Sequence, residues 1–454
     1  MPTELQEAIT AASTVTPLIQ KVIDPLLLEY QRRYAPLLAA IPTRQWTSTQ
    51  YFFNRRTARP DSGGVIDGGA RPIGNSTYEQ NVFNIRLLQA VGSVTGFAQV
   101  VTRDLVGDLR QLEIDGTVQS LMWTMENDCI WGNDTATASG QYPIFSGLDY
   151  LVSNYTAGSG SLAYVNALDI NNNFTLARLD ELIDLVESNA AMPIGSQWMF
   201  VMSPRMMSAV NQALMPQQRF NAPTVQIASG LNVPSYRDVP FVKSSFLSPR
   251  TFASGTASAA ASTGGSLTTG QTYRYQVSAV LARFGELQAS AETSATPSGG
   301  NLSVTLTVAA PTNTPDGLTP ILYKVYRTAG NGASGTESFL GVVDAFDTTG
   351  VAVTSIIDTG TNLLTNSSGN TGPTAYVGTN ASQFPRNGTA EDIYLVPRDA
   401  NFMVRPYTRD VQVIPLAPTV TAPDTLPFAL VSDTTLAVRA PKYVGRLSRV
   451  VANI

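Results

Sequence analysis

The chain has 454 residues, 43% of them hydrophobic and 8% aromatic, enough to bury real cores and, by length, to hold roughly two to four domains. Charged residues make up only 14%, well under the usual ~25%, and 29 basic against 34 acidic residues leave a net charge of -5, which argues against tight wrapping of nucleic acid. With no histidine and one cysteine, Cys129, the sequence excludes an intrachain disulfide, a cysteine zinc cluster and histidine-based acid–base catalysis.

The N-terminal stretch MPTELQEAIT carries acids and no basic region, unlike a secretory signal, and no apolar run approaches the ~20 residues of a spanning helix. No membrane contact is expected, and the chain reads as one kept in a cytosol-like compartment. Residues 3–40 are helix-prone but interrupted by Pro17, Pro25 and Pro36, with Asp24 as N-cap and Pro25 as first helical residue of DPLLLEYQRRY; residues 1–43 read as an N-terminal arm. Then RQWTSTQYFFNRR (44–56) and TYEQNVFNIRLL (77–88) flank a middle dense in Gly, Pro, Asp and Asn, the pattern of an extended hairpin over 44–90. A two-stranded ribbon has no core of its own and is marginal in water.

Its aromatic residues Trp46, Tyr51, Phe52, Phe53, Tyr78 and Phe83 fall on both faces of the ribbon, so one underlying surface does not cover them and neighbouring copies are expected to. Only four of the basic residues are lysines, which leaves arginine, the side chain suited to bidentate ion pairs, as the dominant cation. Arg44, Arg55, Arg56, Arg59 and Arg71 are expected to meet Asp61, Asp67 or Glu79 of another copy. Such pairs fix register while apolar burial dominates the energy.

In DGTVQSLMWTMENDCIWGN, Ile114, Val118, Leu121, Met122, Met125 and Cys129 recur at helical spacing and Gly132 is placed to stop the helix. A long amphipathic helix over 103–131 is expected, with its Met and Trp stripe as core and with Asp104 and Asp108 pairing with Arg103 and Arg110. Leu176, Leu179, Ile183 and Val186 line one face of NFTLARLDELIDLVESNA, leaving Asp180, Glu181 and Asp184 as a solvated surface. WMFVMSPRMMSAVNQAL reads as a buried strand, Ser203 as N-cap, Pro204 in the first turn and a second helix, and DVPFVKSSFL as one more strand. Strand, cap and helix make 91–250 an α+β region.

The composition shifts at TFASGTASAAASTGGSLTTG (251–270), which reads as a flexible linker. Short alternating strands such as TYRYQVSAV, LSVTLTVAAP and YKVYRTAG follow to about 360, as in a β-sandwich, so 251–385 reads as an inserted all-β domain. EDIYLVPRDANFMVRPYTRDVQVIPL and FALVSDTTLAVRAPKYVGRL then resume longer apolar strands, and 386–454 completes the interrupted α+β domain. Phe428, Leu430, Leu436 and Val438 are expected in its sheets, with SDTT turning between two short strands and Arg439, Lys442, Arg446 and Arg449 forming a basic rim for acidic partners.

GNGASG (330–335) matches a dinucleotide-binding spacing but runs into a strand where that site needs a helix N-terminus, so it reads as a hairpin loop. GGVIDGG (63–69) lacks the Lys and Ser/Thr of a phosphate loop and reads as the ribbon's tip. No carboxylate pair or activated serine is evident. The chain is expected to be no enzyme and to use no cofactor and no catalytic or metal site.

The order of arm, long hairpin (44–88), spine-like helix (103–131), FVMSPRMM, YRDVPFVKSSF, EDIYLV and the terminal FALVSDTTLAVRAPKYVGRL resembles the major capsid proteins of tailed bacteriophages, the Hong Kong 97-like fold. The resemblance covers all but roughly 250–385, a piece similar to fibronectin type III or immunoglobulin-like domains in YRYQVSAVLARFGELQASAE and YKVYRT. It implies an α+β fold with N-arm, extended loop, spine helix, and axial and peripheral domains. It also implies a virion subunit, assembled in a host cytoplasm into hexamers and pentamers of an icosahedral shell. A portal protein, a separate scaffolding protein, a cement or decoration protein, and double-stranded DNA touched non-specifically are the partners it implies.

The family's cross-linking founder joins a loop lysine to a neighbour's asparagine, yet residues 44–88 contain no lysine, so non-covalent assembly is expected. The inserted domain is expected to project outward as a display module or to brace the lattice. An encapsulin-type nanocompartment shell is the alternative, and a secreted adhesin or enzyme with a fibronectin-like module a weaker one.

Overall fold

The computed structural model describes residues 35–452 apart from residues 61, 71–73, 107, 134–143, 155–165, 216–223, 229–230, 250–251, 313, 315–317, 348–349, 362–363, 367–383 and 419–422. Nearly all of the expected arm, together with Asp61 and Arg71, thus lies outside the described residues. The chain divides into two compact units, one of Ala90–Gln119 and Val413–Leu430, the other of the remaining described residues.

The centre of the larger unit is a seven-stranded mixed sheet. Its strands run in the order Ala167–Asn173, Gly445–Val451, Ala390–Pro397, Trp198–Met202, Val239–Lys243, Leu231–Tyr236, Thr224–Ala228. WMFVM is buried along its whole length, as a central strand covered on both faces requires. The helices Leu176–Ala190 and Pro204–Leu214 bury Leu179, Leu182, Ile183, Val186, Met206 and Val210 in the same core as Phe200, Ile393 and Leu447. The second helix starts as its sequence implies. Ser203 Oγ accepts the Met206 N–H at 2.9 Å, with Pro204 in the first turn.

The chain leaves this sheet after Val239–Lys243 and returns at Ala390–Pro397, beside Trp198–Met202. Between them stand two five-stranded sheets, one built around Asn301–Val308 and the other around Tyr273–Leu281 and Pro320–Arg327. Tyr275, Val277 and Val325 of one sheet share a core with Val304, Leu306 and Ile356 of the other. The stretch expected as a flexible linker instead holds the strand Ala257–Ser262, paired antiparallel with Val308–Ser303 at the sheet's edge. A ladder's bonds run through the backbone, so small side chains do not prevent pairing, and Ala257 and Ala259 pack against the core. GNGASG forms the loop between Pro320–Arg327 and Ser338–Asp344, as its sequence implies.

A further sheet takes the order Thr43–Gln45, Met403–Pro415, Thr425–Thr434, Arg86–Thr95. Phe428, Leu430, Leu436 and Val438 are buried as expected. SDTT is not a turn, however: the strand runs through Thr434, whose hydroxyl donates to the Pro406 carbonyl at 3.1 Å, and a β-branched residue suits a strand.

In the smaller unit, the Phe428 ring lies where a Cβ on Gly92 would sit 2.4 Å from it. The helix expected over 103–131 is two, Gly96–Val106 and Leu109–Trp131. Asp108 pairs with no arginine among the described residues. Its Oδ1 accepts the N–H groups of Arg110 and Gln111 at 3.0 and 3.2 Å, capping the second helix. In the larger unit the helix ends where Gly132 admits the Phe145 carbonyl, 2.2 Å from any Cβ built there.

Candidate assembly interface

The ribbon pairs Gln50–Ala58 antiparallel with Thr77–Asn84, setting Tyr51 opposite Phe83, Phe52 opposite Val82, Arg55 opposite Glu79 and Arg56 opposite Tyr78. Side chains alternate along each strand, and the two faces have different fates. On the inner face, Tyr51 is buried with Val404 and Ala437, and Trp46, Phe53 and Phe83 pack against that cluster. Its rings meet edge-on (Trp46–Tyr51, 4.9 Å) and stacked (Phe53–Phe83, 6.0 Å). Arg439 donates to the Tyr51 hydroxyl and lies over its ring, pinning the ribbon's base.

On the outer face, Phe52 (37% exposed), Tyr78 (64%) and Val82 (46%) are open to solvent. The expectation that aromatics occupy both faces of the ribbon therefore holds. The smaller unit carries a similar feature: Phe97, Val100 and Val101, at i, i+3 and i+4 of the helix Gly96–Val106, are all exposed.

The arginines divide. Arg55 pairs with Glu79 of its own chain at 2.9 Å, which corrects the expectation that Glu79 serves a neighbour's arginine: cross-strand register places the two opposite each other. Arg56 lies 5.6 Å from the Tyr78 ring and Arg44 5.9 Å from the Trp46 ring; Arg59 is exposed. Arg55, Arg56, Arg59, Arg439 and Lys442 line one cleft of about 550 Å3 between the ribbon and residues 401–402 and 439–442.

The expected basic rim does not form. Arg439 reaches the ribbon and Lys442 rests over the Tyr443 ring, but Arg446 and Arg449 are buried. Arg449 takes a left-handed φ of +56° beside a register shift in its strand, which turns its side chain inward. Its guanidinium donates to both Glu286 oxygens at 3.2 Å, to the Tyr326 hydroxyl at 3.0 Å and to Asp169 at 3.0 Å.

Lys324 reaches Glu286 at 2.8 Å, Arg386 reaches Asp392 at 3.0 Å, and Arg446 joins Asp149 at 2.8 Å to Asp392 at 3.5 Å. Glu286, Lys324 and Tyr326 come from the two-sheet insertion and the rest from the seven-stranded sheet and its surroundings, so a charge-balanced ionic cluster joins them. Burial alone would raise Glu286 and Asp392. The cations beside them overcome it, Lys324 and Arg449 for Glu286, Arg386 and Arg446 for Asp392, and hold both carboxyls well below the usual range.

A second buried acidic pair lies at the end of the long helix. Glu126 accepts the N–H groups of Leu37 and Leu38 at 3.2 and 3.4 Å and the Ser244 hydroxyl at 2.7 Å. Asp128 faces Arg283 Nε at 3.4 Å, and its oxygens accept no hydrogen bond among the described residues. Burial pushes both carboxyls up to about 7, against these partners. Asp180, Glu181 and Asp184 face solvent as expected; Arg237 bridges Asp180 and Asp184 at 3.3 and 3.0 Å, and Arg178 meets Glu181 at 2.6 Å.

No protein-family model and no curated protein matches the chain in sequence. Among solved structures, the Cyanophage A-1(L) capsid is similar over 97% of this chain and 99% of its own, with a TM-score of 0.50 and 9% identity. The capsid of the native GTA particle aligns over 98% of this chain and 100% of its own, with a TM-score of 0.48 and 10% identity. The holo-SrpI encapsulin complex from Synechococcus elongatus PCC 7942 aligns over 99% and 98%, with a TM-score of 0.44 and 10% identity. At such identities the likeness is one of fold, and the cyanophage match gives this chain the fold of a capsid shell protein.

Proposed function

We propose that the chain is the structural subunit of an icosahedral viral shell, joining copies of itself into hexamers and pentamers that enclose double-stranded DNA. The observation that carries this reading is the ribbon's outer face. Phe52, Tyr78 and Val82 remain wet in the single chain, on a two-stranded element that is marginal alone. Covering them at about 25 cal/mol per Å2 contributes several kcal/mol per copy, against about 0–1 kcal/mol for an exposed arginine–carboxylate pair. The exposed Phe97, Val100 and Val101 offer a second surface of the same kind. With no lysine in residues 44–88, these contacts hold the shell without a loop-lysine isopeptide bond.

In this reading the two-sheet insertion, immunoglobulin-like or fibronectin III-like in character, is a brace built into the subunit; the buried cluster around Arg449 supports that role over a loosely tethered display module. Portal, scaffolding and cement proteins complete the particle, and the virion is where the chain resides. Electron microscopy of the purified recombinant chain tests the proposal, with closed or sheet-like lattices of hexamers as the expected result. Only monomers up to high concentration contradict it. A lattice that encloses enzyme cargo in place of DNA in its native source moves the reading to a nanocompartment shell.

A further inference from the structure

We propose that the cleft between the ribbon and residues 401–402 and 439–442 is a binding site for a chain of phosphates, carried by an inorganic polyphosphate or a nucleoside triphosphate. The inference goes beyond the shell reading, because every group of the site belongs to a single chain.

The cleft is lined by five cations, Arg55, Arg56, Arg59, Arg439 and Lys442, and by no carboxylate. Glu79 neutralises Arg55 from the ribbon's other strand. Arg56, Arg439 and Lys442 rest on the rings of Tyr78, Tyr51 and Tyr443, contacts that leave their charge in place, and Arg59 is exposed. A concave surface of one sign focuses its field and concentrates counter-ions of the other.

The surplus of charge selects the ligand. One carboxylate would leave most of it uncompensated, whereas a terminal phosphate alone carries about 1.5–2 negative charges, so two or three phosphates in a row match the four cations that Glu79 does not reach. Guanidinium forks grip phosphate oxygens two at a time, and a lysine adds a point charge. Phe53 and Phe402 form an apolar wall of the same cleft, a face on which a nucleobase can stack.

The far wall is already in place before a ligand arrives. Arg439 N–H donates to the Phe402 carbonyl at 2.7 Å, and Val438 and Ala437 pair with Met403 and Val404, so residues 401–402 and 439–442 are held side by side. Fixed donors lose little freedom on binding. The other wall, Arg55, Arg56 and Arg59, belongs to or adjoins the ribbon strand Gln50–Ala58, an element that is marginal alone. A polyphosphate that bridges the two walls therefore clamps the ribbon's base to the body of the subunit and stabilises the folded chain by mass action.

The test is calorimetric titration and thermal melting of the full-length chain, kept dilute, with tripolyphosphate, with ATP, and with sodium chloride at matched ionic strength. Both phosphate ligands are expected to bind and to raise the melting temperature, chloride is not, and added salt should weaken the binding. The double variant Arg59→Gln with Lys442→Gln should melt like the unsubstituted chain without ligand and bind about tenfold more weakly or worse. Arg59→Lys with Lys442→Arg keeps both charges and should retain most of the affinity. ATP binding more tightly than tripolyphosphate supports a nucleotide with its base on the Phe53 and Phe402 wall; equal affinity supports a ligand read by its phosphates alone. No binding at low salt, a melting shift that chloride reproduces, or an affinity unchanged in the Gln variant overturns the site, and none of these results bears on whether copies assemble into a shell.

Discussion

Arg449 is sealed among Glu286, Tyr326 and Asp169 at 1% exposure, and breaking such a cluster leaves uncompensated charge in a dry interior. Arg449→Ala should cost about 3–5 kcal/mol, read as a lowered urea midpoint with the slope unchanged. Unchanged stability contradicts the buried pairing.

Glu126 and Asp128 act in the opposite sense to Glu286. Their carboxyls are raised to about 7 in the folded chain from about 4 unfolded. The folded state therefore holds protons that the unfolded state has released between about pH 4 and 7. Their contribution to stability is fully present below that window and is lost as pH rises through it. Asp128→Asn should flatten the fall in melting temperature from pH 5 to 8 and stabilise the chain at pH 8; a slope like that of the unsubstituted protein contradicts the assignment. Neither pair is legible from spacing. Glu126 and Asp128 flank a stripe whose Leu121, Met125 and Cys129 are legible and buried, but helical periodicity says nothing of what Ser244 and Arg283 bring to the polar positions between them. Arg449 escapes the alternation of its strand because a register shift and a left-handed φ intervene.

Elements whose own chemistry fixes them are the legible ones. The capped helix after Ser203, the strand WMFVM, the stop at Gly132 and the two-faced alternation of the ribbon follow from local pattern. The edge strand Ala257–Ser262 does not, because its pairing with Asn301–Val308 is written in the partner's backbone. The two-sheet insertion matters to the chain beyond its own core. Glu286, Lys324 and Tyr326 surround Arg449, and Gly285 lies so close to Trp131 that a Cβ there would sit 2.4 Å from the ring. Deleting 251–385 with the ends rejoined should therefore give insoluble chain, or one without a cooperative melt. A deletion variant that melts like the full chain marks the insertion as a detachable module.

At the scale of the whole molecule, the seven-stranded sheet, its two helices and the ribbon give a scaffold whose outer apolar surfaces stay wet in a single copy. The fold's likeness to a cyanophage capsid at 9% identity fits the order of elements along the sequence, while what covers those surfaces is not written in one chain. Hydrogen exchange of the amides in Gln50–Ala58 and Thr77–Asn84 addresses this most directly, compared between dilute monomer and assembled particle. Fast exchange in the dilute chain, slowed strongly on assembly, is the predicted result. Protection that is complete in a monodisperse monomer, and unchanged by concentration, contradicts the account.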